Sequence, residues 1–455
     1  MSKNQIFSHA LEIDRSICVG CTHCMRVCPT HALRVRKGKA VLYPDRCIDC
    51  GECFRACPIN AIKIKEDDLS ALNKYKIKAA LVPSVMLGQF PDNLSIKRIY
   101  KAIYELGFTH IYEVEQSIEF LRNQIVNYQK KSNLKPLISS FCPAIVRLIQ
   151  VRFPSLTENI IKLRTPKDLT AEIIIDDFTK QGFSIDDIGI FYITPCAAKI
   201  AAIKSPVGEE KSVINGVINM NSFFNMIMNK CNSNHYTAEE LMEIKTTNLP
   251  PMAITWSLTR GEAQYVKGRS FAVDGIVNVC DFLEKIENDE IQDVDFLELR
   301  ACDESCAGGI LCTKNRFLTI ENLYNRASIS FNKRKNMKVN KDIEKLLINK
   351  MNITSIEPRP MNLDNDIEKA IKKLERIREI MCFLPNVDCG LCGAPNCKTL
   401  AEDITNNKAH ISDCVFIQYK NLTDTEQAKN ILTKIWGENI FEKDCSKKGA
   451  KYEGS

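Results

Sequence analysis

The sequence has no apolar run that approaches the ~20 residues of a membrane-spanning helix. Its first residues carry charged side chains such as Lys3, Glu12 and Arg15, and they lack the hydrophobic region of a secretory signal. Net charge is only +6 over 455 residues, and no basic stripe alternates with aromatic residues. We therefore expect a cytoplasmic protein without a membrane span and without nucleic acid as its main partner.

Cysteine is the residue type that stands out. Apolar residues make up 45% and charged residues 26%, values typical of a globular chain of about three domains. The 21 cysteines, however, are clustered. Since structural disulfides are rare in the reducing cytosol, clustered cysteines there favour metal ligands or catalytic groups.

Two segments near the start of the chain repeat one cysteine spacing. Both follow C-x2-C-x2-C-x3-C, and a proline comes next in each. Their cysteines are Cys18, Cys21, Cys24 and Cys28, then Cys47, Cys50, Cys53 and Cys57. A 4Fe-4S cubane needs four soft thiolates that converge on one small object. Zinc is the alternative, but zinc ribbons use separated C-x2-C pairs rather than triplets followed by Cys-Pro.

Residues 10–66 resemble a two-cluster bacterial ferredoxin. In such proteins the fourth ligand of each cluster comes from the other repeat. The resemblance therefore implies two clusters, one held by Cys18, Cys21, Cys24 and Cys57 and the other by Cys47, Cys50, Cys53 and Cys28. A module of this kind transfers single electrons, so a partner for bond chemistry is expected elsewhere.

Strand and helix patterns alternate in the middle of the chain. Apolar runs predict strands at 77–82, 110–114, 137–140 and 188–194, and helical spacing predicts helices at 94–106 and 144–151. Such alternation favours an α/β domain with largely parallel sheets. Ligands in these sheets lie beyond the carboxyl ends of the strands.

Four cysteines occupy such positions. Cys142 and Cys196 each follow a predicted strand, and Cys302 and Cys306 form a C-x3-C pair before Gly308. A lone cysteine after a strand is usually a small buried apolar residue. Two of them together with a C-x3-C pair could instead hold one more cubane.

These segments resemble the three signature segments of iron-only (FeFe) hydrogenases, T-S-C-C-P, M-P-C-x-x-K-x-x-E and M-A-C-x-x-x-C-x-x-G-G. The resemblance extends over residues 10 to about 330 and implies an H-cluster. This is a 4Fe-4S cubane on Cys142, Cys196, Cys302 and Cys306, joined through Cys306 to a di-iron subsite with carbonyl, cyanide and dithiolate ligands. It also implies that Lys199, Pro83 and Ser84 contact the cyanides. Hydrogen and protons would be the substrates, separate maturation enzymes would supply the subsite, and oxygen would damage it.

The departures from those signatures concern proton transfer. Phe141 replaces the cysteine that passes protons, Ala202 replaces the glutamate of the second signature, and Ile161 falls where a relay serine is usual. Three further pocket positions are also changed, at Thr194, Arg300 and Lys167. Because Phe, Ile and Ala neither donate nor accept a proton, the usual route is interrupted while the metal ligands remain.

This combination resembles the sensory branch of the family. We therefore expect a slow hydrogenase whose redox state is read by a regulatory protein. A fast, ferredoxin-linked hydrogenase with another proton path through Lys167, Thr194 or water remains the first alternative. An iron–sulfur carrier or scaffold without the di-iron subsite is the second.

The C-terminal region contains a further cysteine motif. Residues 356–366 read as a linker, with Asp364 or Asn365 able to cap a helix whose apolar stripe, from Ile367 to Met381, we expect to pack in a core or against a partner. The motif itself has the spacing C-x2-C-x4-C-x16-C, at Cys389, Cys392, Cys397 and Cys414. It resembles the small 4Fe-4S domain of electron-transfer complexes and corrinoid proteins, with zinc as the alternative.

The predicted fold class is an α/β hydrogenase domain with parallel sheets flanked by helices, preceded by an α+β ferredoxin-like domain and followed by a small helical 4Fe-4S domain. The predicted boundaries are 1–70, 71–355 and 356–420, with a helical or disordered tail at 421–455. Five cysteines remain outside the motifs. Of these, Cys312 lies near the proposed di-iron pocket but is expected to be a packed apolar residue, as are Cys231, Cys280 and Cys382, while Cys445 lies in the tail.

Overall fold

A computed structural model describes residues 7–234, 236–333 and 341–422. Cys445 and nearly all of the predicted tail lie outside these residues. Within the described ranges, no helix combines the length and hydropathy that crossing a bilayer requires.

The strands are short and fall mainly in the first two thirds of the chain. They are β1 (Leu11–Ile13), β2 (Leu33–Arg36), β3 (Lys39–Leu42), β4 (Ile62–Ile64), β5 (Ile77–Val82), β6 (His110–Glu113), β7 (Leu137–Ile138), β8 (Ile188–Thr194), β9 (Gly216–Asn219), β10 (Ser270–Asp274) and β11 (Phe296–Arg300).

The α-helices alternate with the strands of the middle region and dominate the C-terminal part. They are α1 (His23–Arg26), α2 (Glu52–Ala56), α3 (Ser84–Leu87), α4 (Ile96–Glu105), α5 (Ile118–Lys131), α6 (Pro143–Arg152), α7 (Pro166–Lys180), α8 (Ala197–Lys204), α9 (Met220–Ser233), α10 (Ala238–Met242), α11 (Pro251–Ile254), α12 (Ile276–Glu287), α13 (Arg316–Lys333), α14 (Lys341–Lys350), α15 (Ile367–Phe383), α16 (Cys397–Thr405) and α17 (Val415–Leu422).

Two parallel sheets form the middle of the molecule. The larger has the strand order β6-β5-β8-β9, and the smaller has the order β10-β11-β7. In the larger sheet Leu81 pairs with Tyr112 on one side and with Tyr192 on the other. Every residue of β8 is buried, as expected for a parallel strand covered on both faces. Two further pairs, β1 with β4 and β2 with antiparallel β3, complete the sheets.

The chain divides into two compact units. The first, which we call the central unit, comprises Met1–Glu12, Ile48–Gly51 and Lys63–Pro360. The second, the cysteine-rich unit, comprises Ile13–Cys47, Glu52–Ile62 and Met361–Ser455. The first cysteine repeat and the C-terminal cysteine motif therefore belong to the same unit.

The short segment Ile48–Gly51 is built into the central unit. Ile48 is 1% exposed and joins the apolar core formed by α6, α12 and β11, against which Cys50 also packs. The neighbouring Asp49 is fully buried, and its carboxylate accepts hydrogen bonds from Arg147 Nη1 at 2.6 Å and from the Ala10 N–H at 3.0 Å. A buried carboxylate needs such partners, so these contacts hold the segment in place.

The cysteine-rich unit joins the first repeat to the C-terminal motif through polar contacts. Arg34, which is buried, donates from Nε to Asp403 Oδ2 at 2.6 Å, and Arg36 Nη2 donates to the same oxygen at 2.6 Å. The Val35 N–H donates to the Gly393 carbonyl at 2.9 Å. Gly393 has a φ of +75°, and an added Cβ would lie 2.0 Å from the Val35 oxygen, so only glycine fits there.

The predicted elements agree closely with β5, β8 and α6. The strand β7, however, ends at Ile138, two residues before its predicted end. Ser139 and Ser140 instead use their hydroxyls, Ser140 Oγ donating to the Leu163 carbonyl at 3.0 Å. The expected cap of α15 is wrong, because Asp366 accepts from the N–H groups of Glu368 and Lys369.

The apolar stripe on α15 is only partly buried. Ile367 is 77% exposed and Ile371 is 53% exposed, while Ile377 and Ile380 are each 3% exposed. Only the second half of the helix packs in the core with α16, so the expectation of core packing is correct for that half alone.

Candidate metal centres

The carboxyl ends of three parallel strands carry the four candidate ligands of the central unit. Cys142 follows β7 and is the N-cap residue of α6, and Cys196 follows β8 and is the N-cap residue of α8. Cys302 and Cys306 lie in the loop after β11. Since the partial positive charge of a helix N-terminus favours an anion, the first two positions suit thiolates.

Burial controls the acidity of these thiols. It raises the pKa of Cys142, and it raises the pKa of Cys196 to about 11, with further contributions from Cys306 in both cases. Three of the four predicted ligands thus lie close enough to repel one another as thiolates. A bound cation that neutralises them would remove this cost, because metal ligands must be deprotonated.

A chamber of about 400 Å³ lies beside Cys306. Its wall combines apolar residues with several groups that can carry charge or hydrogen bonds. The wall residues are Pro83, Val85, Val114, Glu115, Ile118, Phe141, Thr165, Pro166, Lys167, Tyr192, Lys199, Trp256, Ser257 and Cys306. Four predicted site residues, Pro83, Phe141, Lys199 and Cys306, therefore meet in one space.

Lys199 points at the cysteine predicted to bridge the metals. Its Nζ lies 3.7 Å from Cys306 Sγ and 4.8 Å from the centre of the Phe141 ring. The opposite cation, Arg300, places its guanidinium carbon 4.2 Å from the same ring centre. The phenyl ring is thus held between two buried cations, an arrangement that fixes its position.

Arg300 is balanced by two buried glutamates. Its Nη2 lies 3.0 Å from Glu262 Oε2 and 3.6 Å from Glu298 Oε1. Burial raises the pKa of Glu298 to about 7, Arg300 opposes this shift, and the charge of Glu262 adds to it. Arg300, one of the changed pocket positions, therefore brings its own counter-charges.

Ser84 makes its hydrogen bonds with charged neighbouring residues rather than toward the chamber. Its N–H donates to Glu115 Oε1 at 2.8 Å, and its Oγ accepts from Arg326 Nη1 at 3.4 Å. Arg326 also pairs with Glu113, which accepts from the Tyr100 hydroxyl at 2.9 Å. A cyanide ligand that contacted the Ser84 hydroxyl would therefore compete with Arg326 for that hydroxyl.

A separate, mostly apolar cavity of about 270 Å³ lies behind Phe141. Ile161 lines it together with Leu121, Ile125 and Leu163, and Glu262 is its one acidic wall residue among those described. Two of the three positions at which the sequence predicts a broken proton relay, Phe141 and Ile161, therefore border the same apolar space.

The other replaced positions lie apart from that cavity. Ala202 borders a cavity of about 600 Å³ that also contacts Lys167, Asp168 and Glu209. Thr194 is fully buried, and its Oγ1 donates to the Cys196 carbonyl at 3.0 Å.

The first ferredoxin-type ligand set lies together in the cysteine-rich unit. Cys18, Cys21, Cys24 and Cys57 line one cavity of about 340 Å³. Burial raises the pKa of Cys24 to about 11, and the other three thiols add to the shift. Backbone N–H groups already point at two of these sulfurs, Ala40 at Cys18 and Ala61 at Cys57. Such bonds stabilise thiolates.

The second ligand set is divided between the units. Cys28, Cys47 and Cys53 belong to the cysteine-rich unit, and Cys50 belongs to the central unit. The Ala32 N–H donates to Cys28 Sγ at 3.1 Å. This assignment stays a prediction.

The C-terminal set also converges. Cys397 and Cys414 are buried in a small apolar core against which Cys389 and Cys392 pack. Burial raises the pKa of Cys392, and the thiols of Cys414 and Cys389 add to the shift. Arg36 Nη1 donates to the carbonyls of Cys392 and Gly393 at 3.1 and 2.9 Å, which fixes the loop that carries the first two cysteines.

Sequence reasoning missed some residues of the chamber. Glu115, Tyr192, Trp256 and Ser257 were not predicted, although Glu115 follows a parallel strand closely and position alone could have indicated it. Cys312 is more than a packing residue, since its Sγ donates to the Cys306 carbonyl at 3.5 Å.

Three family models match parts of the chain. The model of the iron only hydrogenase large subunit, C-terminal domain, matches residues 76–249. A 4Fe-4S dicluster domain matches residues 10–70, and a model described as an Fe-S cluster matches residues 384–416. No curated protein matches the chain significantly.

Several solved structures are similar to this chain. An FeFe-hydrogenase from a study of stepwise H-cluster assembly aligns at 13% identity and a TM-score of 0.46. Another, from a study of oxygen inactivation, and a variant from Chlamydomonas reinhardtii each align at 14% identity and 0.47. Each alignment covers 64% of this chain and 98% of the other.

The predicted fold class is confirmed. The middle of the chain is a hydrogenase-like α/β domain with parallel sheets flanked by helices, and a ferredoxin-like 4Fe-4S segment precedes it. The chain also carries iron–sulfur binding domains at both ends.

The residues of the central unit fit an H-cluster. Of its predicted thiol ligands, Cys142 and Cys196 pack against the apolar core, and Lys199 supplies a cation 3.7 Å from Cys306. Among the described residues, Glu115 Oε2 has no hydrogen-bond partner, although it is buried on the chamber wall. A mostly apolar chamber with a few convergent charged groups is typical of a cofactor site.

Proposed function

We propose that this protein is an iron-only hydrogenase that interconverts H2 with two protons and two electrons, at low turnover, as a hydrogen or redox sensor. The main observation that supports this proposal is that Lys199 lies beside Cys306 in the chamber, while Phe141 occupies the neighbouring position at which a proton-relay cysteine is usual. The metal-binding side of the site is retained, and the usual proton donor is absent.

The proposed ligands are those of the sequence prediction. Cys142, Cys196, Cys302 and Cys306 would hold the H-cluster, which supplies the metal that binds and cleaves hydrogen. Lys199 would place its ammonium beside an anionic cyanide, and Pro83 would close the wall on the other side. Phe141, held between Lys199 and Arg300, would exclude water from the route behind it.

Electrons would pass through the iron–sulfur clusters. The two ferredoxin-type clusters and the C-terminal cluster would connect the site to a ferredoxin-type carrier or to a regulatory protein. The packing of Cys50 against the same core as Cys142 and Cys196 supports the direction of this route. Maturation enzymes and a cytoplasmic location belong to the same proposal.

A fast hydrogenase with another proton path is the second candidate. Lys167 favours it, because this side chain borders both the chamber and the 600 Å³ cavity beside Asp168 and Glu209. An iron–sulfur scaffold, the third candidate, would contain cubanes but no carbonyl or cyanide.

Infrared spectroscopy separates these candidates. The protein would be matured anaerobically and its spectrum recorded under argon and then under hydrogen. Carbonyl and cyanide bands that shift slowly and reversibly with hydrogen are expected for the sensor. Rapid turnover would favour the second candidate, and the absence of such bands after competent maturation would leave the scaffold.

The role of Phe141 has its own test. Phe141→Cys restores a proton-carrying thiol, so hydrogen evolution should rise by about 100-fold, within the usual range for acid–base groups. Phe141→Ala opens the same space without a proton donor and serves as the matched control. An equal rise in both variants, or in neither, would reject the interrupted relay as the cause of slow turnover.

A further inference from the structure

We propose that Glu115 is the side chain that exchanges protons with the chamber beside Cys306. The inference rests on the proposed function and deepens it, because it names a group through which protons can reach the site. It concerns a residue outside the three signature segments.

The geometry leaves one oxygen of Glu115 available. The residue is 4% exposed and lies on the chamber wall with Lys199 and Cys306. The Ser84 N–H fixes Oε1 at 2.8 Å, while Oε2 has no partner among the described residues. A buried polar atom without a partner is costly, and a proton on that oxygen would lower the cost.

The surroundings allow Glu115 to exist in both protonation states. Burial raises the pKa of Glu115 to about 7, and the charge of Glu113 adds to the shift. The Ser84 N–H and Arg326 oppose it. A general acid or base works best when its pKa lies near the operating pH, so this carboxyl can both release and accept a proton.

Charged and titratable groups face Glu115 from several elements. Glu113 precedes it on the same segment, Arg326 approaches from α13, and Lys167 and Lys199 share the chamber wall from α7 and α8. Tyr192, from β8, completes the set on that wall. The lysines favour the carboxylate and Glu113 favours the neutral acid, so neither form dominates by a large margin.

The cavity behind Phe141 has one acidic wall residue among those described, Glu262, and that carboxylate is paired with Arg300. The rest of the wall is mostly apolar, and Phe141 lines both this cavity and the chamber. Glu115 therefore accounts for a low rather than a zero turnover.

The proposed step is a simple proton transfer. In hydrogen evolution the O–H bond of the Glu115 carboxylic acid breaks, and the proton enters the chamber. The carboxylate is then reprotonated and delivers a second proton in the same way, and the two protons combine with two electrons supplied through the iron–sulfur clusters to give H2. In hydrogen oxidation H2 yields two protons and two electrons; the carboxylate takes up the protons one after the other, releasing the first before it takes the second, and the two electrons would leave through the clusters.

The first measurement needs no di-iron group. Infrared titration of the full chain before maturation should show a protonated carboxyl that ionises near pH 7 and that disappears in Glu115→Gln. Burial also raises the pKa of Glu298 to about 7, so the Glu298→Gln variant identifies the part of the titration that belongs to Glu298. A titration near pH 7 that is unchanged in Glu115→Gln would overturn the proposal.

The second measurement uses the matured protein. Glu115→Gln should slow hydrogen evolution by about 100-fold while the carbonyl and cyanide bands remain, and Glu115→Asp should restore part of the rate. Glu172→Gln is the matched control, since Glu172 is 5% exposed and pairs with Arg164 outside the chamber. An unchanged rate in Glu115→Gln with intact bands would overturn the inference.

The two measurements keep the inference and the proposed function apart. If the wild-type protein shows no carbonyl or cyanide bands after maturation, the proposed function fails. The titration before maturation still decides whether Glu115 carries an exchangeable proton. If the Glu115→Gln variant does not fold but the Glu115→Asp variant does, both tests use the aspartate variant. A shifted ionisation midpoint in that variant supports the proposal, and an unshifted midpoint overturns it.

Discussion

The cysteine sites of the two units are built in different ways. In the cysteine-rich unit the predicted C-terminal ligands fall within residues 389–414, in the turn before α16, at its first residue and between α16 and α17. In the central unit the ligands fall between residues 142 and 306 and follow β7, β8 and β11, which belong to two separate sheets. The first site is defined by local spacing and the second by the arrangement of whole strands.

This difference indicates which of the two units needs its metal in order to fold. The apolar core around the C-terminal cysteines is small and includes Cys397 and Cys414 themselves. The central unit has a larger apolar core around α6, α12 and β11, together with the fully buried strand β8. Small domains with little core commonly fold only with their metal.

The largest expected effect is therefore that of removing iron. Chelation under anaerobic conditions should increase amide hydrogen exchange across α15 and α16 by several orders of magnitude, while β5 and β8 remain protected. Hydrogen exchange with mass spectrometry measures both regions in one sample. Equal loss of protection in both units would contradict the comparison.

The next largest effect is expected for Asp403→Ala. This change leaves the fully buried guanidinium of Arg34 without its carboxylate, which should cost about 3–5 kcal/mol of unfolding free energy. Denaturant unfolding followed in the cysteine-rich unit measures the loss. Asp176→Ala is the control, because its partner Lys180 is 61% exposed and the loss there should be far smaller than that of Asp403→Ala.

A smaller effect is expected for Gly393→Ala. Its left-handed φ and the approach of the Val35 oxygen both oppose a Cβ, so we expect a loss of about 1–3 kcal/mol. Gly38→Ala separates the two causes, because Gly38 has a φ of +69° but nothing within 4 Å of an added Cβ. If both variants melt at the same temperature, the approach of Val35 contributes nothing.

The smallest effect is expected for Glu402→Gln. Arg46 Nη2 lies 2.9 Å from Glu402 Oε2, and both side chains are partly exposed. Such pairs contribute less than about 1 kcal/mol, and the contribution falls as salt screens the charges. Thermal unfolding at low and high salt should show a small difference that salt removes. A loss as large as that of Asp403→Ala would mean that exposed pairs also hold the unit together.

The sequence predicts local features of the molecule well. The spacing of apolar residues and the length of each run place β5 and β8 correctly, because both strands consist almost entirely of apolar residues. Strand ends also place Cys142 and Cys196, since parallel strands present their carboxyl ends at one edge. The glycines of the C-terminal motif have the left-handed conformation that a tight loop requires.

Long-range contacts explain what the sequence could not predict. The hydrogen bond from the Ser84 N–H to Glu115 joins residues 31 positions apart, so strand position could indicate Glu115 but not this partner. The pairing of Arg34 with Asp403 joins residues that are 369 positions apart. The exposed first half of α15 carries the same apolar spacing as its buried second half, so periodicity alone could not separate the two.

The pairing of Arg34 with Asp403 also has a consequence for biosynthesis. A ribosome adds about 5–20 residues per second, so about 20–70 s separate the emergence of these two residues. During that interval the first cysteine repeat has left the ribosome but lacks the partner that neutralises its buried cation. Stable insertion of its cluster should therefore follow the emergence of Asp403 rather than accompany that of the first repeat.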